Sequence, residues 1–331
     1  MKAPHGLGRN LTQITPLYFN NVMQRVIGGV LTFGMIGWFG FNAAFGAAAL
    51  QVLVPLPHWV WVLILALPIL FLSLKGIRSW GGLSILTTIS VILLTVILLF
   101  RLPEISTPVT TTIANPVYVF LDVAALVGFA SVFSIRAPDF TAGVQHPRNL
   151  MLLVTLFVIP LFALVFAGIV VQRGVSSPDL LSTLQNDPQL WVSSLLIGLA
   201  VIAPIFTVFY SGAPALKVFA NVPEKWGMVV IATIGIVFAI LRVDLWLGVW
   251  LSVLGSFISP LIVPIGIKSY LFKRGIPTEK IKLWTWLPAS LLACGLAIFR
   301  VPTAIIYGLL TAVALNLINA YKSRLKLEQV R

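Results

Sequence analysis

Trp38 and Asn42 stand four residues apart in the stretch Gly34-Met-Ile-Gly37-Trp38-Phe39-Gly40-Phe41-Asn42-Ala-Ala-Phe-Gly46. On a helix that spacing puts an indole face and a side-chain amide on one side. A flat polar ring fits such a pair, stacking on Trp38 and exchanging hydrogen bonds with the donor and acceptor of Asn42. The four glycines would let a ligand or another backbone come close. On the plainer alternative, Asn42 bonds a neighbouring helix and Trp38 fills space between helices.

Other residues could carry charge or bind a cation. Asp122 lies five residues inside an apolar run, about 7.5 Å along a helix, where a carboxylate can still reach water or a cavity and serve as an ion or proton site. Pro138 should stop the preceding helix near Ala137, leaving Asp139 and Thr141 at its mouth beside Arg136, His146 and Arg148. Read plainly, that cluster is a charged, solvated loop. Farther on, Pro204, Thr207, Tyr210, Ser211, Gly212 and Pro214 set hydroxyls between two prolines; freed carbonyls there could line a cavity or hold a cation. A kinked helix whose hydroxyls bond their own preceding turn is the alternative. Pro260 and Pro264, with Ser256 and Ser259, suggest a second bend.

Enzyme chemistry finds little to build on. His5, His58 and His146 fall in expected loops, so no intramembrane serine–histidine or metal–histidine pair forms. No paired carboxylates and no filter-like motif stand out, and the lone Cys294 excludes an internal disulfide.

The elements that must position these residues are membrane helices. Of the 331 residues, 59% are hydrophobic and 9% charged, against about a quarter charged in soluble domains. Apolar runs fall at about 26–51, 59–74, 82–100, 117–136, 150–172, 192–214, 226–241, 245–267, 283–299 and 302–320. They predict an all-α polytopic fold of ten spans in a single domain, with 1–25 and 321–331 as cytoplasmic ends, since the runs are too long and uniformly apolar for barrel strands. With the N-terminus inside, eighteen of the 22 basic residues fall on the inner side; only Arg101, Arg173, Arg242 and Arg300 fall outside. Both termini are therefore expected in the cytoplasm of a multi-pass inner-membrane protein. The +13 charge is topological, and no basic residues interleave with aromatics as a nucleic-acid face would require. Nine of the ten tryptophans lie near expected helix ends, as an interfacial belt demands; Trp38 does not.

The run Trp38-Phe39-Gly40-Phe41-Asn42, with Gly128-Phe129 and then Pro138-Asp139-Phe140-Thr141, resembles the nucleobase-cation symporter-1 family of cytosine and purine permeases and hydantoin or allantoin transporters. The resemblance covers roughly residues 5–320. It implies a five-plus-five inverted-repeat fold with two further helices, in which the first helix here matches the family's third. It also implies that Trp38 stacks the base, that Asn42 stands where a glutamine often bonds it, and that Gly128-Phe129-Ala130 is the unwound part of the family's sixth helix. Thr207, Tyr210 and Ser211 remain from the stretch that holds sodium and base, where the family's asparagines are gone. Ten helices against twelve imply a pair missing at the front, through truncation, a late start assignment, or supply by another polypeptide. The expected function is a secondary permease, a symporter for a nucleobase-like heterocycle, working by alternating access with Na+ or H+ as the coupling ion and no organic cofactor. Substrate-binding candidates are Trp38, Asn42, Gly128, Phe129 and Tyr210; ion or proton candidates are Thr207, Ser211, Asp122 and Asp139. The rival reading is a degenerate paralogue that no longer transports and acts as a membrane partner.

Overall fold

The computed structural model describes residues 11–76, 80–100, 191–275, 279–301 and 303–329, with scattered positions between Val127 and Phe162. Among them every regular element is helical. The helices are α1 Leu11–Tyr18, α2 Asn21–Leu53, α3 His58–Lys75, α4 Trp80–Phe100, α5 Trp191–Ala200, α6 Ile202–Ala220, α7 Glu224–Ile240, α8 Leu247–Lys273, α9 Leu287–Ile298 and α10 Ala304–Gln329. Five stretches are long and apolar enough to cross a membrane: Asn21–Leu53, His58–Lys75, Trp191–Ala220, Val243–Phe272 and Ala304–Lys322. The expected runs at 117–136 and 150–172 lie largely outside the described residues.

The surface is apolar where a soluble protein's would be polar. On α4, Ile85, Ile89, Ile92 and Val96 face outward while Thr87 and Ser90 are buried. Their spacing of three and four residues makes one continuous apolar stripe, with Thr87 and Ser90 turned inward. That inversion suits lipid rather than water as the surrounding solvent. Helix α3 follows suit with Ile64, Leu67 and Phe71 exposed.

Several boundaries differ from those expected. An eight-residue helix, α1, lies within the expected N-terminal segment, and α2 starts at Asn21 because the Asn20 side chain accepts the Met23 amide and caps it. Helix α10 runs on to Gln329, taking in most of the expected tail. The single run expected at 192–214 is divided into α5 and α6 at Val201.

The described residues fall in two compact units. One holds α1, the first turns of α2, and α8 to α10. Helices α8, α9 and α10 meet through small residues and short polar bonds, as membrane helices commonly do. A β-carbon at Gly308 would stand 2.7 Å from Ala293 and 3.0 Å from Pro260. Ser290 donates to the Phe257 carbonyl at 2.6 Å, Cys294 to Val253 at 3.4 Å, and Asn316 to Thr285 at 3.0 Å. Helix α8 continues through Pro260 and Pro264 as a single helix. Trp286 departs from the expected belt: the 3₁₀ turn at Leu283–Thr285 leaves Trp284 partly exposed and turns Trp286 fully inward, edge-on to Phe257 at 5.9 Å. In the same unit the buried Lys268 ammonium donates to the carbonyls of Leu17 (3.1 Å) and Tyr18 (3.4 Å) at the end of α1. That places a cation at a helix C-terminus, where the dipole favours it. Tyr18 also bonds Ser269, and Phe19 bridges to Ile281.

The other unit holds the rest of α2 with α3 to α7. Helix α2 is its centre. Added β-carbons would meet Leu65 of α3 at Gly46, Phe238 of α7 at Gly40, and Met35 of α2 at Gly212 of α6. Gly40 and Gly46 of the opening motif are thus used for close helix packing. Short turns join the helices: Asn221 takes the left-handed conformation after α6 and Pro223 caps α7, with Lys217 paired to Glu224 across the turn at 3.1 Å.

Candidate functional site

Trp38 and Asn42 sit on α2, both half-buried between fully packed neighbours. Phe39 meets Phe209 of α6 at 5.5 Å between ring centres, and a β-carbon at Gly235 of α7 would collide with the Phe39 ring. These contacts fix the rotation of α2 and so the direction in which residues 38 and 42 emerge. The Trp38 ring stands edge-on to Phe41 at 6.5 Å. The Asn42 amide donates to the Trp38 carbonyl, one turn back on its own helix, at 2.6 Å. One donor is therefore spent locally rather than on a neighbouring helix, while the side-chain oxygen keeps its capacity to accept.

On α6, Thr207 donates its hydroxyl proton to the Pro204 carbonyl at 2.8 Å, so its oxygen lone pairs point away from that bond. Ser211 is buried and Tyr210 half-buried. Both flank Phe209 and Gly212, the residues through which α6 touches α2. Trp38 and Asn42 on α2 and Tyr210 and Ser211 on α6 thus lie in one compact unit, as chain neighbours of the residues through which the two helices touch.

The division of the long helix at Val201 is the feature that sequence reasoning missed in its detail. Pro204 has no amide hydrogen for the Ala200 carbonyl and its ring crowds that turn. One residue earlier, the hydroxyl of Thr87 on α4 takes the place of the ladder bond: it accepts from the Ala203 amide and donates to the Leu199 carbonyl, each at 3.2 Å. The regular ladder resumes with Ile205 bonded to Val201 at 3.1 Å. A side-chain hydroxyl inserted into the helix ladder is an established cause of a helix bend. Ten residues separate the break from Trp191, about 15 Å along the helix axis, within the stretch Trp191–Ala220 that is long and apolar enough to cross a membrane. Pro204 was the visible signal; Thr87, 116 residues from the Ala203 amide whose hydrogen it accepts, left none.

Asp122, Gly128 and Phe129 lie outside the described residues. Val127 and Ala130 beside them are helical, which is not the unwound backbone that the resemblance implies at Ala130. Arg136, Ala137 and Asp139 are helical as well, past the stop expected from Pro138. Arg136 and Asp139 are buried rather than solvated, each within the other's electrostatic reach. Opposite charges about one turn apart can accompany each other out of water. His146 and Arg148, expected beside them, are exposed.

Neither the family models nor the curated proteins compared with this chain give a match.

Proposed function

We propose that the chain is a secondary permease for a planar nitrogen heterocycle of the nucleobase type, working by alternating access in the inner membrane with both termini in the cytoplasm. The observation that carries this reading is a half-buried Trp38–Asn42 pair on α2, which packs on α6 through Phe39, in an inside-out helical unit whose α5–α6 stretch is interrupted at Val201. Interrupted helices are where transporters commonly build their sites. The indole offers a ring face, and the Asn42 oxygen offers an acceptor for a ring N–H. Thr207 and Ser211 add hydroxyl oxygens for a coupling Na+, with Asp122 and Asp139 as carboxylates for a proton route.

Binding of radiolabelled cytosine, uracil, hydantoin and allantoin to the purified chain in nanodiscs tests the site. At least one should bind, and Trp38→Ala should weaken it by about 1–3 kcal/mol while Trp38→Phe, which keeps a ring face, loses less. Equal affinity in wild type and a correctly folded Trp38→Ala protein would refute stacking. Uptake into liposomes under an imposed Na+ or H+ gradient then identifies the coupling ion.

A further inference from the structure

A titratable group that transport chemistry leaves unused stands at the opposite end of the second unit's helices from Lys217 and Glu224. His58 is the first residue of α3, behind the Pro57 cap. Its Nε2 lies 3.2 Å from the carbonyl oxygen of Ala239, in the last turn of α7. Since a carbonyl only accepts, Nε2 carries the hydrogen there, and in the neutral ring Nδ1 is left as a bare acceptor. Nδ1 is buried with no hydrogen-bond partner among the described residues. Three residues beyond Ala239, Arg242 adopts the left-handed conformation and turns its guanidinium onto Asp244, with bonds of 3.0 Å and 2.9 Å. Both charges act on the imidazole, and among the described residues these are the ionisable groups that do. The Asp244 side chain is itself 7% exposed and already held by Arg242.

We propose that His58 is a proton-binding site that clasps the start of α3 to the end of α7, closed when the ring is neutral and released when Nδ1 takes up a proton. A proton from solvent adds to the Nδ1 lone pair, and no covalent bond of the protein breaks. It creates a buried N–H without an acceptor beside a guanidinium of like charge, and Asp244, already held by Arg242, offsets only part of that cost. The cost is removed when the imidazolium swings out to water, and the Ala239 bond goes with it. This inference stands apart from the transport reading, since it needs no substrate.

Hydrogen exchange of the full chain in nanodiscs, corrected for intrinsic rates, reads the clasp through the amides of Leu241 and Arg242, which bond Val237 and Ala239 in the last turn of α7. In wild type their protection should fall roughly fivefold between about pH 7.5 and pH 5.5, the size expected of one net hydrogen bond lost across the range where histidine titrates. His58→Gln, which keeps a donor and does not titrate, should hold protection constant over that range. His58→Leu should show the low value at both ends. Constant wild-type protection, the same pH step in His58→Gln, or full protection in His58→Leu would each overturn the proposal.

Discussion

Replacing Thr87 by valine keeps the side chain's shape and removes the one atom that holds the α5–α6 break together. The Thr87 hydroxyl satisfies two backbone groups, the Ala203 amide and the Leu199 carbonyl, both at 3.2 Å and in a buried setting. Side-chain bonds between membrane helices average about 0.6 kcal/mol, so losing two ordinary ones costs about 1.2 kcal/mol. If the two backbone groups are left unbonded, the cost rises toward about 3 kcal/mol. The helix cannot simply close its own ladder, because the neighbouring Pro204 holds that turn open. Thr87→Val should therefore destabilise by about 1–3 kcal/mol in reversible unfolding in mixed micelles, whereas Thr87→Ser, which keeps the hydroxyl, should lose under about 1 kcal/mol. Adding Pro204→Ala to Thr87→Val should recover most of the loss by restoring the amide that the ladder lacks. A Thr87→Val protein as stable as wild type would refute the reasoning. Equal losses in Thr87→Val and Thr87→Ser would show that packing of the methyl group, and not the hydroxyl, is what counts.

Other expectations are more local. Asn42→Leu should cost under about 1 kcal/mol of stability, since its bond to Trp38 is within one helix, yet it should flatten the ranking of heterocycle affinities measured in parallel. Gly235→Ala should destabilise by about 1–3 kcal/mol because its new methyl meets the Phe39 ring, while Gly248→Ala, with open space around it, should be neutral or gain up to about 1 kcal/mol; thermal melts of the two variants decide. Single cysteines at residues 145 and 278 in a Cys294→Ser background should resist impermeant thiol reagents in intact cells, and labelling from outside would reverse the proposed orientation.

What the sequence made legible is the coarse frame. Apolar runs and helix stops placed most described helices within a few residues, because Pro55, Pro57 and Pro223 cannot continue a ladder and mark their ends in the chain itself. What it could not show depends on partners far away in sequence. Asn42 reads the same whether its amide bonds another helix or its own previous turn. Trp286 looks interfacial by position, yet one 3₁₀ turn decides that it faces Phe257 and that Trp284 faces outward. Pro204 announced a disturbed turn, but nothing near Thr87 announced the hydroxyl that fills it. Buried charge was equally hidden: Arg136 and Asp139 read as a solvated loop, and their burial follows from chain placement that composition does not encode.

The bond between Lys268 and the end of α1 joins residues 251 apart. At roughly 5–20 residues per second, a ribosome needs about 12–50 s to make the intervening chain. Throughout that interval the eight-residue α1 lacks the Lys268 bond at its end, and a helix that short is marginal on its own in water. The fastening of the end of α1 by Lys268 thus comes late, and this bond reports that insertion has proceeded at least as far as α8. A nascent chain halted before residue 268 should expose residues 11–18 to protease, and one halted after residue 282 should protect them.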